Sequence, residues 1–315
     1  MPAAEVYTLL YKKEDAHEDP IYSCCWTKTR LTDEPKDFIV TAGLDGLIKI
    51  WTLIDNRLEL VHTLDGHTMA IVSLAVSPDG HTLATSSLDS ALTIWDLVTG
   101  QKVHDIPTAA TDVWNVVFSP DGKQLVTGSH TGKVVIYDVA KGIQVKVLDT
   151  RGKFTLSVDW SADGKYICSG SVDGAVCIFD VAQGKLIHTV EAHVRSIRTV
   201  AFSPNSKLIV TASDDGNIKT IDVVSGWMVD SLQHGTWAVA ARFSGDGARV
   251  VTAAVDGTVR VATTDPLALQ YTYSEHHDRV WGVNFNVEGN KIVSVSQDRC
   301  INIYECPLPP QHSKH

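Results

Sequence analysis

The chain has 315 residues with a formal charge of −10, 44% hydrophobic and 20% charged residues, a composition that excludes intrinsic disorder and a membrane-embedded protein. An acidic chain repels phosphate backbones, so direct nucleic-acid binding is not expected. Six cysteines without C-x-x-C spacing, several inside apolar runs such as YSCCW and AVCIF, read as free thiols in a reducing compartment and not as a disulfide framework. The start lacks a basic segment followed by a long apolar run, and no stretch reaches about 18 apolar residues, so neither a signal peptide nor a membrane span is expected.

The first predicted element is the strand EVYTLLYKK (5–13), which stands alone ahead of a repeat that fills the rest of the chain. In the first copy an apolar strand ends at Trp26, and its turn at Asp45 is delayed by the insert KTRLTDEPKD. The second copy reads as four strands: IVSLAV (71–76), TLATSS (82–87), LTIWDL (92–97) and QKVHDI (101–106), separated by SPDG, LDSA and a polar turn. Val, Ile, Thr and aromatics fill the strands while Gly, Pro, Asp and Asn mark the turns. Later copies are anchored on Phe118, Trp160, Phe202, Phe243 and Phe285, and each anchor from Val76 onward is followed after 13 residues by a turn position. Successive turn positions are 44, 42, 42, 42, 41 and 42 residues apart, the period of one propeller blade. The seventh copy stops after its third strand, CINIYEC (300–306). The lone strand at 5–13 is expected to pair with it and close the ring, because closure removes exposed sheet edges. The predicted fold is all-β: one seven-bladed propeller over 1–306, with a loose polar tail at 307–315.

Polar columns run through the repeat. Nine residues before the anchors stand His17, His67, Ala109, Arg151, His193, His234 and His276; four before the turn positions stand Thr41, Thr85, Thr127, Ser169, Thr211, Thr252 and Ser294. With Asp45 and Asp89 at the turn, and Trp51 and Trp95 six residues later, these columns resemble the WD-repeat (WD40) β-propeller family, in which His, Ser/Thr, Asp and Trp form a hydrogen-bonded chain that braces each blade. The quartet is complete in blade one (His17, Thr41, Asp45, Trp51) and blade two (His67, Thr85, Asp89, Trp95). Blade three lacks His and Asp. Blade four has Arg151 in place of His. Blades five to seven keep His, hydroxyl and Asp without Trp, which leaves their brace open.

The resemblance implies that residues just after the His column and just before the turn emerge on the narrower top face. There the chain carries Tyr22, Asp112, Trp114, Phe154, Arg198, Asp214, Trp237, Arg279 and Trp281, a set rich in the residue types that dominate protein interfaces. The expectation is a partner-binding face with aromatic anchors and a rim of Arg198, Arg279 and Asp214. A recurring His–Asp pair argues against an active site, which needs one constellation and not five. His276-His277 is a weak metal candidate, and GSHTGKV (128–134) lacks the phosphate-loop spacing. No catalytic residue, metal or cofactor is expected.

The segments LDTRGKF (148–154), VTASDDG (210–216), DRVWGVNF (278–285) and KIVSVSQD (291–298) resemble the WD-repeat subunits of the superkiller (Ski) complex, shared in animals with the Paf elongation complex. That resemblance implies a non-catalytic scaffold in nucleus and cytoplasm. Its partners would be a TPR scaffold and an RNA helicase in exosome-dependent mRNA decay, and Paf subunits in transcription elongation and histone modification. It implies a chain that is monomeric alone. A WD-repeat peptide reader or ubiquitin-ligase substrate receptor is the alternative.

Overall fold

The computed structural model describes residues 6–29, 35–108, 113–152 and 154–308. Asp112 and most of the C-terminal tail lie outside them. Among the described residues every regular element is a strand. Blade 7 begins the chain with β1 (Thr8–Lys13). Blade 1 follows with β2 (Ile21–Lys28), β3 (Asp37–Gly43), β4 (Ile48–Ile54) and β5 (Arg57–Leu64). Blade 2 contains β6 (Ile71–Val76), β7 (Thr82–Ser87), β8 (Leu92–Asp96) and β9 (Lys102–Ile106); blade 3 contains β10 (Asn115–Phe118), β11 (Gln124–Gly128), β12 (Lys133–Asp138) and β13 (Ile143–Asp149). Blade 4 is β14 (Thr155–Trp160), β15 (Tyr166–Ser171), β16 (Ala175–Asp180) and β17 (Lys185–Glu191). Blade 5 is β18 (Ile197–Phe202), β19 (Leu208–Ser213), β20 (Asn217–Asp222) and β21 (Met228–Gln233). Blade 6 is β22 (Ala238–Phe243), β23 (Arg249–Ala254), β24 (Val259–Thr264) and β25 (Leu267–Tyr273), and β26 (Val280–Phe285), β27 (Lys291–Ser296) and β28 (Ile301–Glu305) complete blade 7.

Each blade is a four-stranded antiparallel sheet, a meander of consecutive strands in blades 1 to 6 and β26-β27-β28-β1 in blade 7, and the chain is a seven-bladed propeller. The second strand of each blade is buried almost throughout, because each sheet packs on both neighbours, and the outer strands alternate or are exposed. The core is accordingly divided into apolar clusters between adjacent blades: Leu74 and Leu83 meet Val40 and Ile50 between blades 1 and 2, and Trp26 meets Val293 and Ile301 between blades 7 and 1. The SPDG-type turns at the bottom are closed by their serines. Ser119 donates to Asp121 at 2.6 Å and accepts from the Gln124 amide at 2.9 Å, and Ser161 repeats this with Asp163 and Tyr166. Turn glycine Gly174 sits at φ +87°, where an added Cβ would lie 2.0 Å from the His193 carbonyl oxygen, so no other residue fits.

The predicted closure is present. β1 runs antiparallel to β28, from Thr8 opposite Glu305 to Lys13 opposite Ile301. Just before β1, Tyr7 stacks on Tyr271 of blade 6 with centroids 4.6 Å apart and meets Tyr273 edge-on at 6.2 Å. Tyr273 in turn packs on Tyr304. The blade 6–blade 7 seam is therefore zipped by aromatic contacts as well as by the strand pair.

A second set of bonds runs around the channel wall. Ser73 Oγ accepts from the Val116 amide at 3.2 Å, Asn115 Oδ1 from the Val158 amide at 2.9 Å, and Ser157 Oγ from the Val200 amide at 3.1 Å. Thr199 Oγ1 donates to the Val239 carbonyl at 2.8 Å. Each bond crosses to the next blade, so blades 2 to 6 are stitched by side chains one residue past the top-face column.

Candidate functional site: the channel mouth

The brace fixes the loops that carry the top face. In blade 1, His17 bonds Asp45 through Nδ1 and Thr41 through Nε2, both at 2.9 Å, and Trp51 donates to the same threonine at 2.9 Å. Blade 2 repeats it with His67, Asp89 (3.1 Å), Thr85 (2.8 Å) and Trp95 (2.9 Å). The brace survives without tryptophan in blade 5, where His193 bonds Asp215 at 2.8 Å and Thr211 at 2.7 Å. It survives in blade 7 too, where His276 bonds Asp298 at 2.9 Å and Ser294 at 2.6 Å, and Tyr304 takes the place of the indole. His276 is thus committed to the blade rather than to a metal. Burial opposes ionisation of Asp298, but the His276 bond and the His277 and Cys300 amides hold its carboxyl far below the usual range.

Blade 6 departs from the sequence reading. His234 bonds Thr252 at 2.9 Å, yet Asp256 turns away to Arg260 Nη2 at 3.1 Å and to the Thr258 hydroxyl at 2.6 Å. Burial first, and the Arg260 charge second, push the His234 imidazole down to about 4. The cause is one residue. At this repeat position Lys49 and Lys219 each donate to the carbonyl just before their histidine, Ala16 and Ala192, at 2.7 Å. Arg260 reaches the His234 carbonyl with one arm of its fork and claims the aspartate with the other.

A backbone bond joins the two top-face columns in each blade where both are described. The residue before the turn donates to the residue three after the His column: Leu44 to Pro20 (2.9 Å), Leu88 to Ala70 (2.9 Å), Val172 to Phe154 (3.0 Å), Asp214 to Ser196 (3.0 Å), Val255 to Trp237 (3.1 Å) and Gln297 to Arg279 (2.8 Å). The side chains there are presented by a rigid frame.

Tyr22, Trp114, Arg198 and Trp281 line the mouth of the central channel, which encloses about 470 Å³. Tyr22 and Trp281 meet across the blade 1–blade 7 seam with centroids 5.3 Å apart, and Gln297 orients the indole through a 3.1 Å bond. Trp114 and Phe154 meet edge-on at 5.2 Å across blades 3 and 4, and the His130 ring lies 5.0 Å from that of Phe154. These two aromatic clusters lie on opposite sides of the ring. Trp237 is 45% exposed on blade 6, and Arg279 is exposed beside blade 7; neither lines the channel.

The charged rim differs from expectation. Arg198 and Asp214 do not face outward independently; they form a bidentate pair, Nε to Oδ1 at 2.8 Å and Nη2 to Oδ2 at 2.7 Å, with the aspartate buried. Asp112, the other carboxylate expected there, lies outside the described residues.

Lower in the channel the structure reveals two charged groups that the motif columns did not single out. Asp159 of blade 4 and Arg242 of blade 6 face it at a column otherwise occupied by Cys25, Ala75, Val117, Ala201 and Asn284. Asp159 accepts from the Phe202 amide at 2.6 Å. Burial pushes its carboxyl up to about 6 against the pull of that amide and the Arg242 charge. The signal was available: these are the two residues charged at neutral pH in a column of neutral ones. All six cysteines are free, and burial raises the Cys25 thiol to about 11.

Comparison with known proteins agrees with this architecture. Residues 20–305 match the family described as the IFT122 first beta-propeller. The chain belongs to this family of WD-repeat β-propellers. It is 33% identical over 111 residues to the WD repeat-containing protein SL1-17 of Schistosoma mansoni, a match covering 35% of this chain and 36% of that protein. It is 31% identical over 103 residues to the WD repeat-containing protein VIP3 of Arabidopsis thaliana (33% and 31%), and 34% identical over 106 residues to the small ribosomal subunit protein RACK1 of Caenorhabditis elegans (33% and 30%). The matches thus span about a third of each relative. The fold is suited to scaffold and protein-interaction roles.

Proposed function

We propose that this propeller is a non-catalytic adaptor that holds partner proteins on the face around its channel mouth. The observation that carries the reading is the pair of aromatic clusters, Tyr22–Trp281 and Trp114–Phe154, mounted on a hydrogen-bonded frame at a solvent-open mouth. Large, half-buried aromatic rings on a rigid support bind apolar anchors at low entropic cost. Catalysis gains no support: His17, His67, His193 and His276 each have both ring nitrogens bonded, which leaves none as a general base toward a substrate.

The finer reading is a subunit of the Ski complex, acting in cytoplasmic exosome-dependent mRNA decay, and of the Paf complex, acting in nuclear transcription elongation and histone modification. It rests on the resemblance of the four segments named above. Of these, LDTRGKF and DRVWGVNF carry Phe154, Arg279 and Trp281 to the proposed face. A reader of basic peptides needs a free carboxylate at the mouth, and Asp214 is occupied by Arg198. The test is co-purification of the Trp114→Ala/Trp281→Ala double variant with the TPR and helicase subunits. Loss of both partners with an unchanged melting temperature is expected, and full retention of both overturns the proposed surface.

A further inference from the structure

Polar side chains of the inner strands have two fates. Those just below the mouth are used by the wall itself: Ser73, Asn115, Ser157 and Thr199 each bond the neighbouring blade. Further down each inner strand lies the column of Asp159, Arg242 and Asn284, all half-buried in the lumen. Asp159 accepts only from backbone amides, that of Phe202 at 2.6 Å. Of the Arg242 guanidinium's N–H donors, one on Nη1 is used, by the carbonyl of the preceding Ala241 at 3.0 Å. The other half-buried or buried arginines behave differently. Arg198 closes on Asp214, Arg249 on the Gly289 and Pro307 carbonyls, and Arg260 on Asp256 and the His234 carbonyl. The Arg242 charge is felt at Asp159 in blade 4 and at Cys25 in blade 1, on both sides of blade 6, so the group stands in the lumen and not against its own sheet. Asp159 and Arg242 form no ion pair with each other or with any other described residue, and the Asn284 amide bonds no described side chain.

Opposite charges held away from bulk water without counter-charges are costly, and each gains from a partner. An anion on Arg242 would leave Asp159 bare beside it, and a cation on Asp159 would leave Arg242 bare. A ligand that carries both charges satisfies each. Between blades 4 and 6 the column presents only the small Ala201, which leaves room for such a ligand to span them. The lumen of about 470 Å³ runs from Tyr22 and Trp281 at the mouth to Pro78 and Pro204 at the base, so a small molecule fits and has a way in. We propose that the lower channel is a binding site for a small dipolar ion of the amino-acid type. Its carboxylate lies on the Arg242 guanidinium with the Asn284 amide beside it, its ammonium lies on Asp159, and its methylenes pass over Ala201. A planar guanidinium suits a carboxylate, and a carboxylate suits an ammonium. The site is separate from the aromatic clusters at the mouth and does not depend on them.

The test is isothermal titration calorimetry of the full chain near neutral pH. The probes are glycine, β-alanine, γ-aminobutyrate and δ-aminovalerate, each beside the carboxylate that lacks its amine and the amine that lacks its carboxylate. At the best length the dipolar ion binds roughly tenfold more tightly than either singly charged analogue. Asp159→Asn, nearly the same shape, removes the advantage over the carboxylate, and Arg242→Gln removes the advantage over the amine. In NMR the bound ligand moves the Arg242 Nε–H signal and leaves the Trp114 and Trp281 indole signals in place. A carboxylate that binds as tightly as its dipolar counterpart overturns the proposal, since the channel would then hold an adventitious ion only. So does the absence of binding by the whole series up to about 10 mM, and so does movement of the indole signals in place of the Arg242 signal. The comparison of the analogues on the unaltered chain stands even if the variants misfold.

Discussion

Arg260 holds Asp256, four residues before it, at 3.1 Å, and so withdraws from His234 the carboxylate that every other described His–Asp blade gives its histidine. His234 Nδ1 is left buried without a hydrogen-bond partner among the described residues. An unpaired buried polar atom costs about 1–3 kcal/mol.

Arg260→Lys should therefore stabilise the protein. Lysine keeps the bond to the His234 carbonyl, as Lys49 and Lys219 keep theirs, and releases Asp256 toward the imidazole. The expected gain is about 1 kcal/mol in urea denaturation, with a His234 titration in NMR that moves upward. An unchanged His234 titration would show that Asp256 does not swing back.

The pH dependence has two opposing parts. His234 titrates near 4 when folded against 6.5 for the free side chain, so its contribution to stability falls as pH drops from 6.5 toward 4. Asp159 titrates near 6 against 3.8, so its contribution is present at low pH and lost as pH rises through 6. Asp45, Asp215 and Asp298, all held below their ordinary range, add stability that is lost only at more acid pH. Between pH 7 and 5 the first two partly cancel. His234→Gln should gain about 1 kcal/mol on acidification from pH 7 to 5, and Asp159→Asn should lose about as much, measured by denaturant midpoints at each pH. Parallel curves for the two variants would refute the assignment.

Removal of residues 1–14 takes β1 from β28 and Tyr7 from the seam with Tyr271 and Tyr273. It exposes a sheet edge and opens the ring. A loss of roughly 5 kcal/mol, seen as a melting temperature about 10 °C lower, and aggregation on heating are expected. Unchanged thermal stability would mean that the ring does not depend on its closing strand.

Arg249 is fully buried at the base of the same seam, where it donates to the Gly289 carbonyl at 2.8 Å, the Pro307 carbonyl at 2.6 Å and Cys306 Sγ at 3.0 Å, with Phe285 5.7 Å from its guanidinium. Arg249→Met strands these acceptors. A loss of about 2–3 kcal/mol in denaturation is expected, together with faster hydrogen exchange at residues 300–308. Wild-type exchange there would show that the C-terminal strand is anchored without it.

The propeller and its closure were legible in the sequence because they follow from local, repeated signals. The spacing of turn aspartates sets the blade, the alternation of apolar residues sets its packing, and a missing fourth strand beside an orphan first one sets the ring. The braces of blades 5 and 7 were legible only as residue types. That they hold without tryptophan depends on neighbours: Tyr304 fills the indole position in one, and apolar Ile221 packs in the other. The tertiary structure decided what no column could: that Arg198 and Asp214, 16 residues apart, face each other across a hairpin and cancel; that Arg260 redirects Asp256; and that Asp159 and Arg242 share one channel wall. Repetition along a chain encodes the backbone, because each unit solves the same packing problem. The charge state and pairing of a side chain depend on distances between units, and those exist only once the ring has closed.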